Sequence, residues 1–224
     1  MIPWLQIDTA RVPGTEIDLR LMRRGDDFSM MLGQNELMSS RLSGSEEALA
    51  TLACRRIAAV KRPSLLIGGL GMGFTLRAAL AVLGPDARIM VAELVPAVIA
   101  WAKGPMAGLF GACLEDPRTS IRQADVIEII QAHAAAFDAV LLDVDNGPEG
   151  LIRKANDALY DLKGLQAIRR ALRPGGVLAV WSSGPNASFT KRLRDAGFGV
   201  DEVAVRATGK RSGARHVIWF ATRP

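Results

Sequence analysis

Short stretches of alternating apolar and polar residues open the chain: Trp4-Leu5-Gln6-Ile7, then residues 16–22, then 28–32. Pro13-Gly14 and Gly25-Asp26-Asp27 separate them and have the composition of turns. Residues 1–42 therefore read as three strands of a small antiparallel β appendage, too short to bury a core of its own. Ser43-Gly44-Ser45-Glu46-Glu47 then opens a helix running to about residue 59, with Ser43 or Ser45 as its N-cap and acids in its first turn.

From residue 64 the pattern changes. Largely apolar runs at 64–68, 88–93, 137–143 and 177–181 read as strands, and the more polar 118–122 reads as another between them. Helical patterns at about 74–83, 96–103, 126–135, 159–172 and 187–196 alternate with them. Strands with no polar face are buried on both sides, which predicts a parallel sheet covered by helices above and below. The ending breaks the rhythm. Residues 199–206 and 216–222 are strands joined by a turn through Thr208-Gly209-Lys210-Arg211-Ser212-Gly213, too short for a crossover helix, so they pair antiparallel. The expected fold is α/β: a Rossmann-like class I methyltransferase domain over residues 43–224, with a mostly parallel seven-stranded sheet ending in a hairpin.

Composition narrows the setting. No apolar run approaches the ~20 residues of a membrane span, and the first residues lack the basic-then-apolar pattern of a signal peptide. Cys54 and Cys113 are too few and too far apart for a disulfide framework or a paired-cysteine metal site. A cytoplasmic protein without a metal is the expectation. The formal charge of +5 and pI of about 9.7 raise the question of a nucleic-acid partner. The basic residues are scattered in pairs, such as Arg23-Arg24 and Lys191-Arg192, and aromatic residues are sparse, so that partner is not favoured. The apolar N-terminal strands suit pairing across a two-fold axis, as in a homodimer.

Four segments carry the chemistry. Ile67-Gly68-Gly69-Leu70-Gly71-Met72-Gly73 lies between the first parallel strand and its helix, where glycines let the backbone turn and approach a ligand. The spacing of Gly68, Gly69, Gly71 and Gly73 alone does not choose between a nicotinamide dinucleotide and adenosylmethionine. Glu93, followed by Leu94, ends the second strand, where an acid accepts bonds from both ribose hydroxyls. Asp125, followed by Val126, stands after the third strand as the N-cap of the next helix and is placed to hold an adenine amino group. Asp143, Asp145 and Asn146 close the fourth strand with a polar mouth able to orient and deprotonate a nucleophile; Asp145 and Asn146 also suit a simple turn before Gly147-Pro148. No Ser-His-Asp order, HExxH or paired-cysteine motif is present, and His133 and His216 read as a helix-end and a strand-start residue.

With these segments in place, residues 28–182 resemble the spermidine synthase branch of the class I methyltransferase-like superfamily. Asp116-Pro117-Arg118, Leu159-Tyr160 and Leu172-Arg173-Pro174-Gly175-Gly176 add to the resemblance. It implies ribose binding by Glu93, adenine binding by Asp125 and assistance by Asp143 in deprotonating the attacking amine, with Glu47 and Tyr160 on the substrate side. The sequence also departs from the family. Leu70-Gly71-Met72 stands where aminopropyltransferases carry a loop acid that holds the donor's amine. Asn146 replaces a second acid after Asp143, and Ser45 replaces a tyrosine. Fewer carboxylates weaken binding of a dicationic polyamine. The expectation is therefore a methyltransferase using S-adenosylmethionine on a small-molecule acceptor by in-line displacement at the sulfonium. The alternatives are aminopropyl transfer from decarboxylated S-adenosylmethionine to an amine, or a catalytically degenerate nucleoside-binding protein.

Overall fold

The computed structural model describes residues 2–144, 158–208 and 213–224. Two sheets organise them. The N-terminal sheet is an antiparallel meander of β1 (Leu5–Arg11), β2 (Asp18–Arg24), β3 (Asp27–Leu32) and β4 (Asn35–Ser39). The alternation along the chain predicts three of these strands. The fourth, Asn-Glu-Leu-Met-Ser, has too little apolar character to stand out and is defined by its pairing with β3. β1 is an edge strand with Leu5 and Ile7 exposed.

The second sheet has seven strands in the order β10-β11-β9-β8-β5-β6-β7. β5 (Ser64–Gly68), β6 (Arg88–Glu93), β7 (Thr119–Gln123), β8 (Phe137–Leu142) and β9 (Leu172–Ser182) run parallel. β10 (Gly199–Arg206) and β11 (Arg215–Thr222) form the closing hairpin, with β11 antiparallel to β9. This is the architecture that the alternation and its final break predict.

Strand periodicity divides the interior into two cores. Leu65, Ile67, Ile89, Val91, Leu141, Ile218 and Phe220 point to the face covered by α1 (Gly44–Arg56), α2 (Phe74–Val82), α3 (Pro96–Lys103) and the short α4 (Ala107–Phe110). Leu66, Val140, Leu142, Leu178, Val180 and Trp219 point to the other, under α5 (Val126–Ala132), α6 (Leu162–Ala171) and α7 (Ala187–Asp195). The first core also takes in Val12, Leu19, Leu21, Phe28, Met30 and Leu32, so the N-terminal sheet shares its apolar interior with the larger one. α5 is shorter than its pattern predicts. His133 caps it, its Nδ1 lying 2.7 Å from the Ile129 carbonyl oxygen, and Ala135 then turns with φ +46. At α1 neither Ser43 nor Ser45 caps the helix with its hydroxyl; Ser43 sits at the N-cap, while Ser45 is buried. No helix among the described residues is long and apolar enough to cross a membrane.

Candidate active site

β5 is flanked by β6 on one side and β8 on the other, so connections from its end depart in opposite directions and open a crevice beyond the strand ends. A cavity of about 180 Å³ lies there. Gly69 and Gly71 line it from the loop after β5, Glu93 and Leu94 from the end of β6, and Asp125 and Val126 from beyond β7. Asp143 and Val144 enter from the end of β8 and Trp181 from β9. Opposite them stands an apolar roof of Val12, Leu19, Met30, Leu32, Leu37 and Met38.

Gly69 has φ +91, and a Cβ there would stand 2.6 Å from the Asp143 carbonyl oxygen; the loop lies against the end of β8 because no side chain intervenes. Gly71 has φ +49 and lies under the thioether of Met38, whose sulfur accepts the Met72 N–H at 3.1 Å. Gly68 and Gly73 do not line the cavity, and packing explains both. A Cβ on Gly68 would stand 3.1 Å from Leu142 and Val126, and one on Gly73 would meet the Phe110 ring at 2.5 Å.

Glu93 is buried, with Oε2 accepting the Leu70 N–H at 2.9 Å and Oε1 the Val95 N–H at 2.8 Å. Burial raises its pKa, against the backbone N–H groups that favour the carboxylate. The Gly71 and Leu94 N–H groups also act on this carboxylate, so the backbone of the glycine loop and of the turn after β6 holds it in place. Asp125 N-caps α5 by accepting the Ile127 N–H at 3.1 Å while it also lines the cavity. Asp143 is half-buried and accepts the Thr75 hydroxyl at 2.9 Å. Burial, then the charge of Glu46, pushes its carboxyl up to about 7, against the Thr75 hydrogen bond.

Two expected substrate residues lie elsewhere. Glu47 is exposed and does not line the cavity; Glu46, one position earlier, is the acid that does. A helix turns about 100° per residue, and only Glu46 lies three and four positions before the buried Leu49 and Ala50. That periodicity was the available signal. Tyr160 belongs to the second core, edge-on to Phe189 at 5.6 Å between ring centroids, on the far face of the sheet. Asp145 and Asn146 lie outside the described residues. Thr75, bonded to Asp143, and the β4 residues Leu37 and Met38, which line the cavity, are site neighbours that sequence reasoning did not single out.

The family model described as the spermine/spermidine synthase domain matches residues 46–190. The chain belongs to the spermine/spermidine synthase family. A curated relative, polyamine aminopropyltransferase 1 of Streptomyces coelicolor, is 28% identical over 150 residues. That match covers 63% of this chain and 27% of the relative, so the chain spans about a quarter of that protein's length. Among solved structures, a spermidine synthase in complex with the transition state analogue AdoDATO superposes with a TM-score of 0.75 at 19% identity, covering 98% of this chain and 72% of the other. The spermidine synthase from Thermotoga maritima gives 0.75, 19%, 98% and 73%, and a probable spermidine synthase from Corynebacterium glutamicum gives 0.65, 17%, 97% and 80%. At such identities the structural likeness concerns the fold, which is that of the class I methyltransferase-like superfamily.

The crevice at the strand ends is acidic and closely approached by backbone. Two acids, Glu93 and Asp125, stand at neighbouring strand ends; the loop between them and Asp143 bears no Cβ at Gly69 or Gly71. Among the described lining residues there are four carboxylates, Glu46, Glu93, Asp125 and Asp143, and no lysine, arginine or histidine.

Proposed function

We propose that the protein transfers an aminopropyl group from decarboxylated S-adenosylmethionine to a small amine. The observation that carries this reading is the sign of the cavity: its charged lining is wholly acidic among the described residues. The undecarboxylated donor has a carboxylate that would enter this field without a cationic partner, and burying an unpaired charge is costly. The decarboxylated donor presents only positive groups. Membership in the family supports the same choice, and together these favour aminopropyl transfer over the methyl transfer expected from the missing loop acid. The acidic lining also repels phosphates, which favours a small-molecule acceptor over nucleic acid.

In this reading Glu93 and Asp125 hold the ribose and adenine, and the glycine loop admits the nucleoside close to the backbone. When bound, the donor supplies a sulfonium whose three-carbon arm is open to displacement by an amine lone pair, an N–C bond forming as the C–S bond breaks. Asp143 stands at the centre of the strand ends, between the donor side at β6 and β7 and the wall at β9. Its carboxyl, near 7, exchanges a proton close to neutral pH and takes the one that the attacking amine gives up. Thr75 fixes the carboxylate's orientation through its hydroxyl. The apolar roof excludes water from the reacting atoms.

The test is to incubate the protein with either donor and a panel of amines and to identify products by mass spectrometry. An aminopropylated amine is expected from the decarboxylated donor. A methylated product from S-adenosylmethionine, with none from the decarboxylated form, would replace this reading by methyl transfer.

A further inference from the structure

The family's loop acid is absent here, and the place beside the loop is filled. Met38 lies over Gly71, its sulfur taken up by the Met72 N–H, and a Cβ at Gly71 would stand 2.9 Å from that thioether. Under the donor proposed above, the ammonium at the end of the aminopropyl arm would need a counter-charge from another wall.

Glu46 is on that wall. It lines the cavity from the first turn of α1, close enough to Asp143 for its charge to raise the Asp143 pKa. Its position is held. The Ser45 hydroxyl donates to Glu46 Oε2 at 2.7 Å, and His216 Nδ1 lies 3.0 Å from Ser45 Oγ. A hydroxyl has one proton, and Ser45 gives it to the carboxylate, so His216 is the donor to Ser45. The His216 ring meets Trp181 edge-on with centroids 4.8 Å apart, and Trp181 is itself part of the cavity lining. The Trp181 indole nitrogen is buried with no hydrogen-bond partner among the described residues. Glu46 therefore stands in a built corner assembled from α1, β9 and β11. Two carboxylates turned towards one cavity repel each other, and a cation between them relieves that repulsion.

We propose that Glu46, oriented by Ser45 and His216, takes the place of the missing loop acid and holds the donor's terminal ammonium together with Asp143. Glu46 is then a binding residue that sets donor specificity, and Ser45 and His216 are positioning residues. The same pair of carboxylates turns away the carboxylate of S-adenosylmethionine.

Titration calorimetry on the wild-type protein and Glu46→Gln tests this without turnover. Three ligands are compared: decarboxylated S-adenosylmethionine, S-adenosylmethionine, and methylthioadenosine, which keeps the nucleoside and sulfur but lacks the ammonium arm. E46Q is expected to bind the decarboxylated donor roughly tenfold or more weakly, to bind methylthioadenosine unchanged and to discriminate less between the two donors. Ser45→Ala, which frees the carboxylate without removing it, is expected to weaken only the decarboxylated donor, by about threefold. Equal weakening of all three ligands by E46Q would overturn the proposal, because Glu46 would then act through the fold. So would an unchanged donor affinity with a raised KM for the amine, which would place Glu46 on the acceptor. If the wild-type protein binds methylthioadenosine but gains nothing from the ammonium arm, this proposal fails; if it binds no nucleoside at all, the proposed function fails first.

Discussion

Replacing Gly69 by alanine places a methyl group between the glycine loop and the end of β8. The site cannot open easily, because both sides are pinned: Gly69 N donates to the Ala92 carbonyl at 2.8 Å, and Asp143 N to the Gly68 carbonyl at 3.1 Å. Two costs add. The positive φ of +91 disfavours any side chain, by about 1–2 kcal/mol. The Cβ at 2.6 Å from a backbone oxygen forces a shift of the kind that costs about 1–3 kcal/mol in a packed interior. Gly25→Ala is the control, since Gly25 has φ +60 but nothing within 4 Å of an added Cβ, and so bears only the first cost. The two variants should differ by about 2 kcal/mol, the close-approach part alone. With a urea dependence of about 2 kcal/mol per molar, G69A unfolds roughly 1 M earlier than G25A. Calorimetric binding of methylthioadenosine should also weaken in G69A and not in G25A, because the displaced loop and Asp143 both line the cavity. Equal urea midpoints for the two variants would refute the close approach of loop and strand.

Four further outcomes are expected. The wild-type kcat/KM for the amine rises with pH through about 7 as Asp143 becomes a carboxylate, and Thr75→Val, which removes the hydroxyl that stabilises that charge, moves the rise to higher pH; a profile unmoved by T75V would mean another group titrates. Asp143→Asn lowers aminopropyl transfer by about 10²–10⁴-fold in product assays. The same variant has a stability signature: a folded pKa near 7 against 3.8 unfolded means the fold retains a proton that the unfolded chain releases between about pH 4 and 7, so wild-type stability from this group falls as pH rises across that window. D143N removes that fall and should unfold at higher urea than wild type at pH 8. Asp138, buried at the opposite end of β8, accepts the Ser64 N–H at 2.8 Å and Arg173 Nη1 at 2.6 Å; Asp138→Ala should cost about 2–4 kcal/mol in urea unfolding while donor affinity stays unchanged.

Much of this architecture follows from local pattern. The runs Ser64–Gly68 and Phe137–Leu142 have no polar face, and a strand of that kind is stable only between two layers. The short connection between β10 and β11 admits only a hairpin. A glycine-rich turn after β5 and acids after β6, β7 and β8 mark the ligand edge by type and position, since chemistry in such a sheet gathers at the strand ends. The periodicity of α1 carried Glu46 as well, although the adjacent Glu47 was the residue that family position suggested.

What the sequence by itself determined, then, is the order of elements and the row of groups along one edge of the sheet, because both depend on contacts between near neighbours and on the period of the backbone. Only the tertiary structure decided which of those groups meet. Met38 occupies the space over Gly71, Glu46 raises Asp143, and His216 reaches Ser45 across 171 positions of chain. Each is a contact between distant segments, set by how β4, α1 and β11 pack against the parallel strands. Burial and charge at the site come from the assembled surroundings, and no local pattern specifies them.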